Sequence, residues 1–398
     1  MAEFVLDDAR LWVGDGTSLD GHVVVRDGSI GAVERGRYRG GLEVISLGGA
    51  ALSPGMIDLM VLGGFGLSIL RDDVRQIARQ YLRYGVTAMQ CCIGTLPWEA
   101  MKQVAANVQQ ARADQADAGR SQVLGLYLEG PFQHPRLTGA SLAAHALPPS
   151  LDNVERVLTE LGEAVTMINV SPGTEGDAQA VRRLAQAGKV VTMAHSNAPA
   201  ERVVACVENG TSGLGHAFNN NNGAMKEGGV QQPTLEHVAL LDERVRFLHL
   251  ICDGTHVDPW LIRLMLRCRG VEALCLVTDG NQRMGCPDGP FVWDDGQRMY
   301  KKDGVCRIEG SNGLAGSATL LPQMFRNLVR FTGLAPERAI QAVTLNPARS
   351  LGLEERMGLI APGRRADLVA WDQDLRVQRV WLSGRACAQV HDLEEVPA

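Results

Sequence analysis

The hydrophobic pattern divides the chain into two kinds of segment. Over residues 1–52, short apolar runs such as 22–25 are separated by tight turns, and no helical period is present. This pattern is typical of short β-strands. Residues 356–398 return to it, with segments of strand character at 367–371 and 377–382. We therefore predict a small β-domain built from both ends of the chain.

Between residues 53 and 355 the pattern repeats a helix, a glycine, an apolar strand and a polar residue. Val74 and Ile77 belong to a stripe at helical spacing, Gly85 ends it, and the apolar run 86–91 follows. Strands that are apolar throughout and alternate with helices indicate a parallel sheet covered on both faces. The number of such units favours a (β/α)8 barrel inserted between the two halves of the β-domain.

Four predicted strands are followed by ionisable residues, namely Glu129, His195, His216 and Asp279. Barrel enzymes place their chemistry at the carboxyl ends of the strands, so these side chains are expected to meet. A carboxylate and two imidazoles give zinc three protein ligands and leave a fourth position for water. Each residue alone is more often an ordinary hydrogen-bonded side chain, but a buried charged cluster without a ligand would be costly.

Several motifs in the same order resemble those of the N-acetylglucosamine-6-phosphate deacetylase family, in the amidohydrolase superfamily. The resemblance covers nearly the whole chain and begins with Pro-Gly-Met-Ile-Asp at 54–58. The other motifs are Leu-Glu-Gly-Pro-Phe at 128–132, His-Ser-Asn-Ala at 195–198, His-Ala-Phe-Asn at 216–219, Asp-Gly-Thr-His-Val at 253–257, Thr-Asp-Gly at 278–280, Leu-Ala-Gly-Ser at 314–317, Asn-Pro-Ala at 346–348 and the segment 360–369.

This resemblance implies a (β/α)8 TIM-like barrel over residues 53–355, flanked by a β-sandwich made of residues 1–52 and 356–398. It also implies one catalytic divalent metal ion, most simply Zn²⁺, with a homodimer as the assembly. The metal ligands would be Glu129, His195 and His216. Asp279 would act as general base and acid, and His256 would lie near the sugar.

The first predicted barrel strand departs from many amidohydrolases, which carry a His-x-His there for a second metal. This chain has Met60 and Leu62 at those positions, and neither side chain is a useful zinc ligand. We therefore expect a single metal ion.

The phosphate side of the resemblance is less complete. Lys226 stands where the family has an arginine that meets the sugar phosphate from a neighbouring subunit, so a bidentate fork is replaced by a point charge. A family histidine is replaced by Ser141, and His145 comes four positions later, which predicts the loss of one substrate contact. Arg283 either enters the pocket to replace the anion contact or is a solvated loop residue.

The remaining candidates for substrate contact are Asn219, Asn220 and Leu314. Side-chain amides suit sugar hydroxyls and backbone N–H groups suit phosphates, so the asparagine run at 219–222 either binds the sugar or caps a loop.

Composition and charge exclude other classes of partner. The 398 residues are 45% hydrophobic and 21% charged, and Lys+Arg 39 against Asp+Glu 45 leaves a net charge of −6. These values indicate a globular protein that lacks the positive charge needed to bind nucleic acid. The acidic N-terminal segment and the absence of a long apolar run predict a cytoplasmic protein that does not bind membranes. Its nine cysteines are expected to be thiols.

The sequence thus predicts a metal-dependent hydrolase of the acetamide of an N-acetyl amino sugar, most simply N-acetylglucosamine 6-phosphate. One alternative keeps this chemistry on an unphosphorylated or differently substituted N-acyl amino sugar. A second is a non-catalytic binding protein with the same fold. A third, a purine or pyrimidine deaminase, is disfavoured because the first-strand histidines are absent.

Overall fold

An eight-stranded parallel sheet forms the centre of the computed structural model, which describes residues 3–114, 119–219, 226–311 and 313–387. Its strands lie side by side in chain order, and every neighbouring pair is parallel. They are β1 Met56–Val61, β2 Val86–Ile93, β3 Gln122–Phe132, β4 Val165–Val170, β5 Val190–Met193, β6 Thr211–Leu214, β7 Phe247–Leu250 and β8 Leu274–Leu276.

The strand number and direction agree with the prediction of a (β/α)8 fold, but the strand ladder is not closed. Its two ends, β1 and β8, approach each other at Gly280, just after β8. Val61 forms an isolated parallel bridge with Gly280. The backbone N–H groups of Leu62 and Gly63 donate to the carbonyl of Gly280 at 3.0 and 2.9 Å.

Helices follow most of these strands. Their bounds are α1 Val74–Arg83, α2 Trp98–Ala113, α3 Leu151–Arg156, α4 Asp177–Gln186, α5 Ala200–Glu208, α6 Leu235–Leu241, α7 Pro259–Arg269, α8 Leu321–Thr332, α9 Pro336–Ala339 and α10 Leu345–Ser350. Short 3₁₀ segments lie at Ala143–His145, Gly162–Ala164, Val271–Ala273 and Ile340–Val343, and a π-helical turn at Val157–Leu161.

The predicted first helix is confirmed as α1, and both its N-terminal cap and its apolar stripe explain why it forms. The side chain of Asp73 caps α1 by accepting from the backbone N–H of Arg75 at 2.9 Å. The predicted apolar stripe, including Val74 and Ile77, is buried. A later helix, α7, buries Ile262 and Met265.

Strands from both ends of the chain join in a second eight-stranded sheet. They are Phe4–Trp12, Ser18–Arg26, Ser29–Arg35, Glu43–Ser46, Ala51–Pro54, Leu368–Trp371, Val377–Leu382 and Arg385–Ala386. The antiparallel pairing of Ala51–Pro54 with Leu368–Trp371 links the two halves. Strands from both termini therefore share one sheet, whereas two facing layers, as in a β-sandwich, are not confirmed.

Three smaller sheets lie in the connections. Gly289–Val292, Arg298–Lys302 and Val305–Ile308 form an antiparallel three-stranded sheet, and the remaining two are the pairs Gly63–Gly64 with Leu67–Ser68 and Lys226–Glu227 with Val230–Gln231. The side chain of Gln297 donates to the carbonyl of Ala140 at 3.0 Å, which fastens the first turn of the three-stranded sheet to the segment after β3. No helix in the described ranges has the length and apolar character needed to cross a membrane.

Candidate metal centre and pocket

The four ionisable residues predicted from the strand ends lie at the same edge of the central sheet. Glu129 is within β3, which continues to Phe132, so the prediction that it ends its strand is corrected. His195 and His216 come two residues after β5 and β6.

The backbone at these positions is unusual. His195, His216 and Asp279 have φ angles of 53°, 22° and 48°, in the left-handed region that few non-glycine residues adopt. Such strained backbone clusters at functional sites, because the surrounding structure has to hold it there.

Three ligand atoms converge on one point. Nε2 of His195 lies 2.8 Å and Nε2 of His216 lies 2.6 Å from Oε1 of Glu129, and the two Nε2 atoms are 3.0 Å apart. All three residues are buried, and they form a group with the composition and spacing to hold a metal ion.

Each imidazole is oriented by its other ring nitrogen. Nδ1 of His195 lies 2.6 Å from the carbonyl oxygen of Leu137, and Nδ1 of His216 lies 3.2 Å from that of Asn219. Because a carbonyl oxygen can only accept, each Nδ1 carries the proton and donates it. Nε2 is therefore the nitrogen that each ring turns toward Glu129, and it can bind a metal once it carries no proton. The donor set fits a divalent ion.

The charges of the three residues are strongly linked. Burial opposes the ionisation of Glu129, but hydrogen bonds and charges from His195 and His216 hold its pKa below the ordinary value. Burial likewise disfavours charge on His216, but the carboxylate of Glu129 raises its pKa to about 9. A cation bound here has to displace that proton, so metal binding releases protons to solvent.

Asp279 lines the same cavity and is half-buried. Burial and then the charge of Glu129 raise the pKa of Asp279 to about 6, whereas the neighbouring imidazoles oppose that rise. A carboxyl group with a pKa near neutrality can both accept and return a proton during a reaction cycle.

The cavity beside the candidate metal ligands has a volume of about 490 Å³. Asn219, His256 and Leu314, which the sequence predicts as substrate contacts, all line it. Asn220 lies outside the described residues. The backbone of Lys226 lies in a two-residue strand, and its side chain is outside the described part of the structure.

His256 lines this cavity and has one unpaired ring nitrogen. Its Nδ1 donates to Oδ2 of Asp253 at 2.6 Å, and the hydroxyl of Ser317 donates to the same oxygen at 3.1 Å. Although burial opposes it, pairing with His256 lowers the pKa of Asp253. Nε2 of His256 is buried and has no hydrogen-bond partner among the described residues, so it is available to a ligand.

Arg283 does not line the cavity, which corrects the first of its two predicted roles. Its Nη2 donates to the carbonyl of Pro287 at 2.5 Å, and its guanidinium lies 5.7 Å from the ring centroid of Phe291. It is not a freely solvated loop residue either, because its Nε is buried.

Arg71 is a pocket residue that sequence reasoning missed. It is the only arginine or lysine among the described residues that line the cavity. Its Nε lies 2.9 Å from Oδ1 of Asp294, and its Nη2 donates to Oε1 of Gln282 at 2.8 Å. The hydroxyl of Ser68 donates to the other oxygen of Asp294. Arg71 lies in an irregular connection without a motif, so the sequence carries no signal for it.

Other unpredicted lining residues come from segments distant in sequence. The turn after Gly289–Val292 contributes Trp293, Asp294 and Asp295. His145 also reaches the cavity, from the 3₁₀ segment Ala143–His145, so the shift in its sequence position does not remove it from the site.

Comparison with known proteins shows related chains of nearly the same extent. The amidohydrolase family model matches residues 51–387. The N-acetylgalactosamine-6-phosphate deacetylase of Escherichia coli O157:H7 is 32% identical over 384 residues, which cover 96% of this chain and 98% of that protein. The human N-acetylglucosamine-6-phosphate deacetylase is 31% identical over 350 residues, covering 85% and 83%.

Solved structures agree with these relatives. N-acetylglucosamine-6-phosphate deacetylase from Mycobacterium smegmatis, in complex with N-acetyl-D-glucosamine-6-phosphate, has a TM-score of 0.88 at 26% identity, covering 97% of this chain and 99% of that one. The enzyme of that name from Thermotoga maritima has a TM-score of 0.86 at 26% identity, with the same coverage.

Proposed function

This chain belongs to the amidohydrolase family, and from that membership and the geometry of its site we propose that it removes the acetyl group of an N-acetylhexosamine 6-phosphate. The products are acetate and the amino sugar phosphate. The observation that carries the proposal is the convergence of Glu129, His195 and His216 on one point beside Asp279, in a cavity large enough for a sugar. A non-catalytic binding protein has no need of this combination.

Glu129, His195 and His216 would hold one divalent cation, most simply zinc. When bound, the cation supplies Lewis acidity, which polarises the amide carbonyl and makes a water molecule more acidic. Asp279 takes a proton from that water as the new C–O bond forms. The same carboxyl then returns the proton to the amine nitrogen as the C–N bond breaks.

Recognition of the sugar is assigned to side chains that are already fixed. The hydrogen bond to Asp253 holds the ring of His256, a cavity residue whose Nε2 is unpaired, so this nitrogen needs no further ordering to bind a sugar hydroxyl. Asn219 adds a side-chain amide, which suits a sugar hydroxyl. Leu314 supplies an apolar contact at the same wall.

Arg71 is proposed as the contact for the 6-phosphate. One N–H of its Nη2 donates to Gln282 and its Nε forms an ion pair with Asp294, which leaves the N–H groups of Nη1 and the second N–H of Nη2 for an anion. Those two partners also hold the guanidinium plane, and a fixed plane favours bidentate binding of a phosphate.

An unphosphorylated N-acetyl amino sugar is the second candidate substrate. It is favoured by the carboxylates of Asp294 and Asp295, which line the cavity beside Arg71 and would repel a phosphate. The two candidates share the deacetylation chemistry and differ only in what Arg71 meets. The stereochemistry at C4 is a separate choice, because the relatives named above act on either the gluco or the galacto sugar.

We also propose that the central sheet closes into a barrel through Gly280, and that the terminal strands form a sandwich-like domain over residues 1–52 and 356–398. The bridge from Val61 to Gly280 supports the first proposal. The separate apolar cluster that contains Leu6, Val23 and Trp381 supports the second. A homodimer and a cytoplasmic location remain predictions from the sequence.

The test is acetate release from N-acetylglucosamine and N-acetylgalactosamine, each with and without the 6-phosphate, by protein loaded with zinc. We expect turnover of at least one phosphorylated sugar, with kcat/KM at least about tenfold above its unphosphorylated counterpart, the value of one charged hydrogen bond. Equal values for the two forms would favour the second candidate, and no acetate from any of the four would contradict the proposed function.

A further inference from the structure

Asp58 is a buried carboxyl group that the chemistry described above does not use. It lies in β1, is completely buried, and does not line the cavity. Its Oδ1 accepts from the backbone N–H groups of Met60 at 3.2 Å and Thr278 at 3.1 Å. Its Oδ2 accepts from the hydroxyl of Thr278 at 2.6 Å.

No lysine, arginine or histidine of the described chain forms an ion pair with Asp58, so its charge has only hydrogen bonds to stabilise it. Burial raises the pKa of Asp58 to about 7 against the effect of these bonds. An apolar side chain at this position would avoid that desolvation cost. The three accepted hydrogen bonds are what the carboxyl group adds, and two of them go to Thr278, the residue before Asp279.

The backbone around Asp279 is held from both sides. Its carbonyl accepts from the N–H of Ser317 at 2.9 Å. The N–H of the next residue, Gly280, lies 3.1 Å from the hydroxyl oxygen of Thr278 and 3.3 Å from the carbonyl of Met60. These contacts surround a residue whose φ of 48° is disfavoured for residues other than glycine.

We propose that Asp58 is a positioning residue for Asp279. Its carboxyl group fixes both the backbone and the hydroxyl of Thr278, and Thr278 in turn fixes the left-handed turn from which Asp279 projects toward Glu129 and His216. The inference rests on the proposed function, because Asp279 is the group that moves the proton there.

Two disruptive and two conservative variants test this chain of contacts. Asp58→Ala and Thr278→Val each remove one link, and a displacement of Asp279 by about 1 Å should lower kcat about 100-fold. KM and the metal content per chain should stay within about twofold, because no residue that holds the sugar or the cation is changed. A merely structural role would lower the fraction of active, metal-loaded protein instead.

The conservative variants should restore the rate. In Asp58→Asn, Oδ1 still accepts both N–H groups, and Nδ2 can donate to the hydroxyl oxygen of Thr278. That hydroxyl can then donate to the carbonyl of Met60, which lies 3.2 Å away. Asp58→Asn and Thr278→Ser are therefore expected to keep kcat within about tenfold of the parent protein, since the hydrogen-bonded geometry survives.

The double variant separates a chain of contacts from two independent effects. If Asp58 acts through Thr278, then Asp58→Ala combined with Thr278→Val loses no more than about 100-fold, because the second change removes a link that is already broken. A loss near the product of the two single effects, or full kcat in Asp58→Ala, would overturn the inference.

Crystal structures of metal-loaded parent protein and of both disruptive variants give a readout that needs no substrate. In the variants we expect the carboxyl group of Asp279 to be displaced from its position in the parent protein, while Glu129 and His216 stay where they are. An Asp279 that stays in place in a well-folded variant would overturn the inference. If the parent protein released no acetate, the proposed function would fail, and these structures would still decide whether Asp58 positions Asp279.

Discussion

Replacing Asp58 by asparagine should make the protein more stable at alkaline pH. Burial raises the pKa of Asp58 from 3.8 to about 7 in the folded state. Between those two pH values the folded protein binds a proton that the unfolded chain has lost, so wild-type stability falls as the pH rises. Each pH unit corresponds to about 1.4 kcal/mol. From pH 5 to pH 7 the loss is therefore about 2 kcal/mol, and by pH 8 it levels off near about 3 kcal/mol.

Asparagine cannot ionise, so the variant lacks this loss while other titrating groups affect both proteins alike. Urea unfolding at pH 5, 6, 7 and 8, followed by circular dichroism, gives the difference in unfolding free energy between Asp58→Asn and wild type. That difference should shift in favour of the variant by about 3 kcal/mol between pH 5 and pH 8, with most of the change below pH 7. A difference that is independent of pH would refute the reasoning that Asp58 is desolvated and unpaired.

Three further predictions concern the site and its surroundings. Asp279 must be ionised to take a proton, and the charge of a bound cation lowers its pKa from about 6. We therefore expect kcat/KM to fall about tenfold for each pH unit only below about pH 6. A fall of kcat/KM that begins above pH 7 as the pH is lowered would contradict this assignment. Arg71→Ala should raise KM for the phosphorylated sugar about 10- to 100-fold and leave KM for the unphosphorylated sugar within about twofold; equal increases would remove Arg71 from phosphate binding. Burial and then the charge of His216 lower the pKa of His249 to about 3, and neither ring nitrogen has a hydrogen-bond partner among the described residues. His249→Phe should therefore leave the free energy of unfolding, measured by calorimetry, equal or higher. A decrease of more than about 2 kcal/mol would indicate that the ring has a partner that this account misses.

The sequence predicts the central sheet, and it anticipates that the three candidate metal ligands come together, for one physical reason. Parallel strands bring their carboxyl ends to the same edge of a sheet, so polar residues that follow apolar runs are gathered there even when far apart in the chain. Glu129 and His216 are 87 positions apart in sequence, yet their ligand atoms are 2.6 Å apart. The family resemblance adds Asn219 and His256, which the structure places in the same cavity.

The rest of the pocket depends on irregular connections, where hydrophobic periodicity carries no information. Arg71 and Asp294 are 223 positions apart in sequence and meet only because the turn after Gly289–Val292 lies against the segment after β1. For the same reason Arg283, chosen for its proximity to Asp279 in sequence, proves to contact Pro287 instead. The terminal strands were predictable from their alternation with turns, but the way in which the sheet folds was not.

The most direct test of the central claim is a zinc titration of chelated protein, with bound metal and acetate release measured on the same samples. We expect one ion per chain in the wild type, and a rate of acetate release that rises in proportion to bound metal. Glu129→Gln should lose tight binding and the rate together, because it removes the charged ligand shared by His195 and His216. Undiminished acetate release from metal-free wild type, or wild-type metal content and rate in Glu129→Gln, would contradict the claim that these three residues hold a catalytic cation.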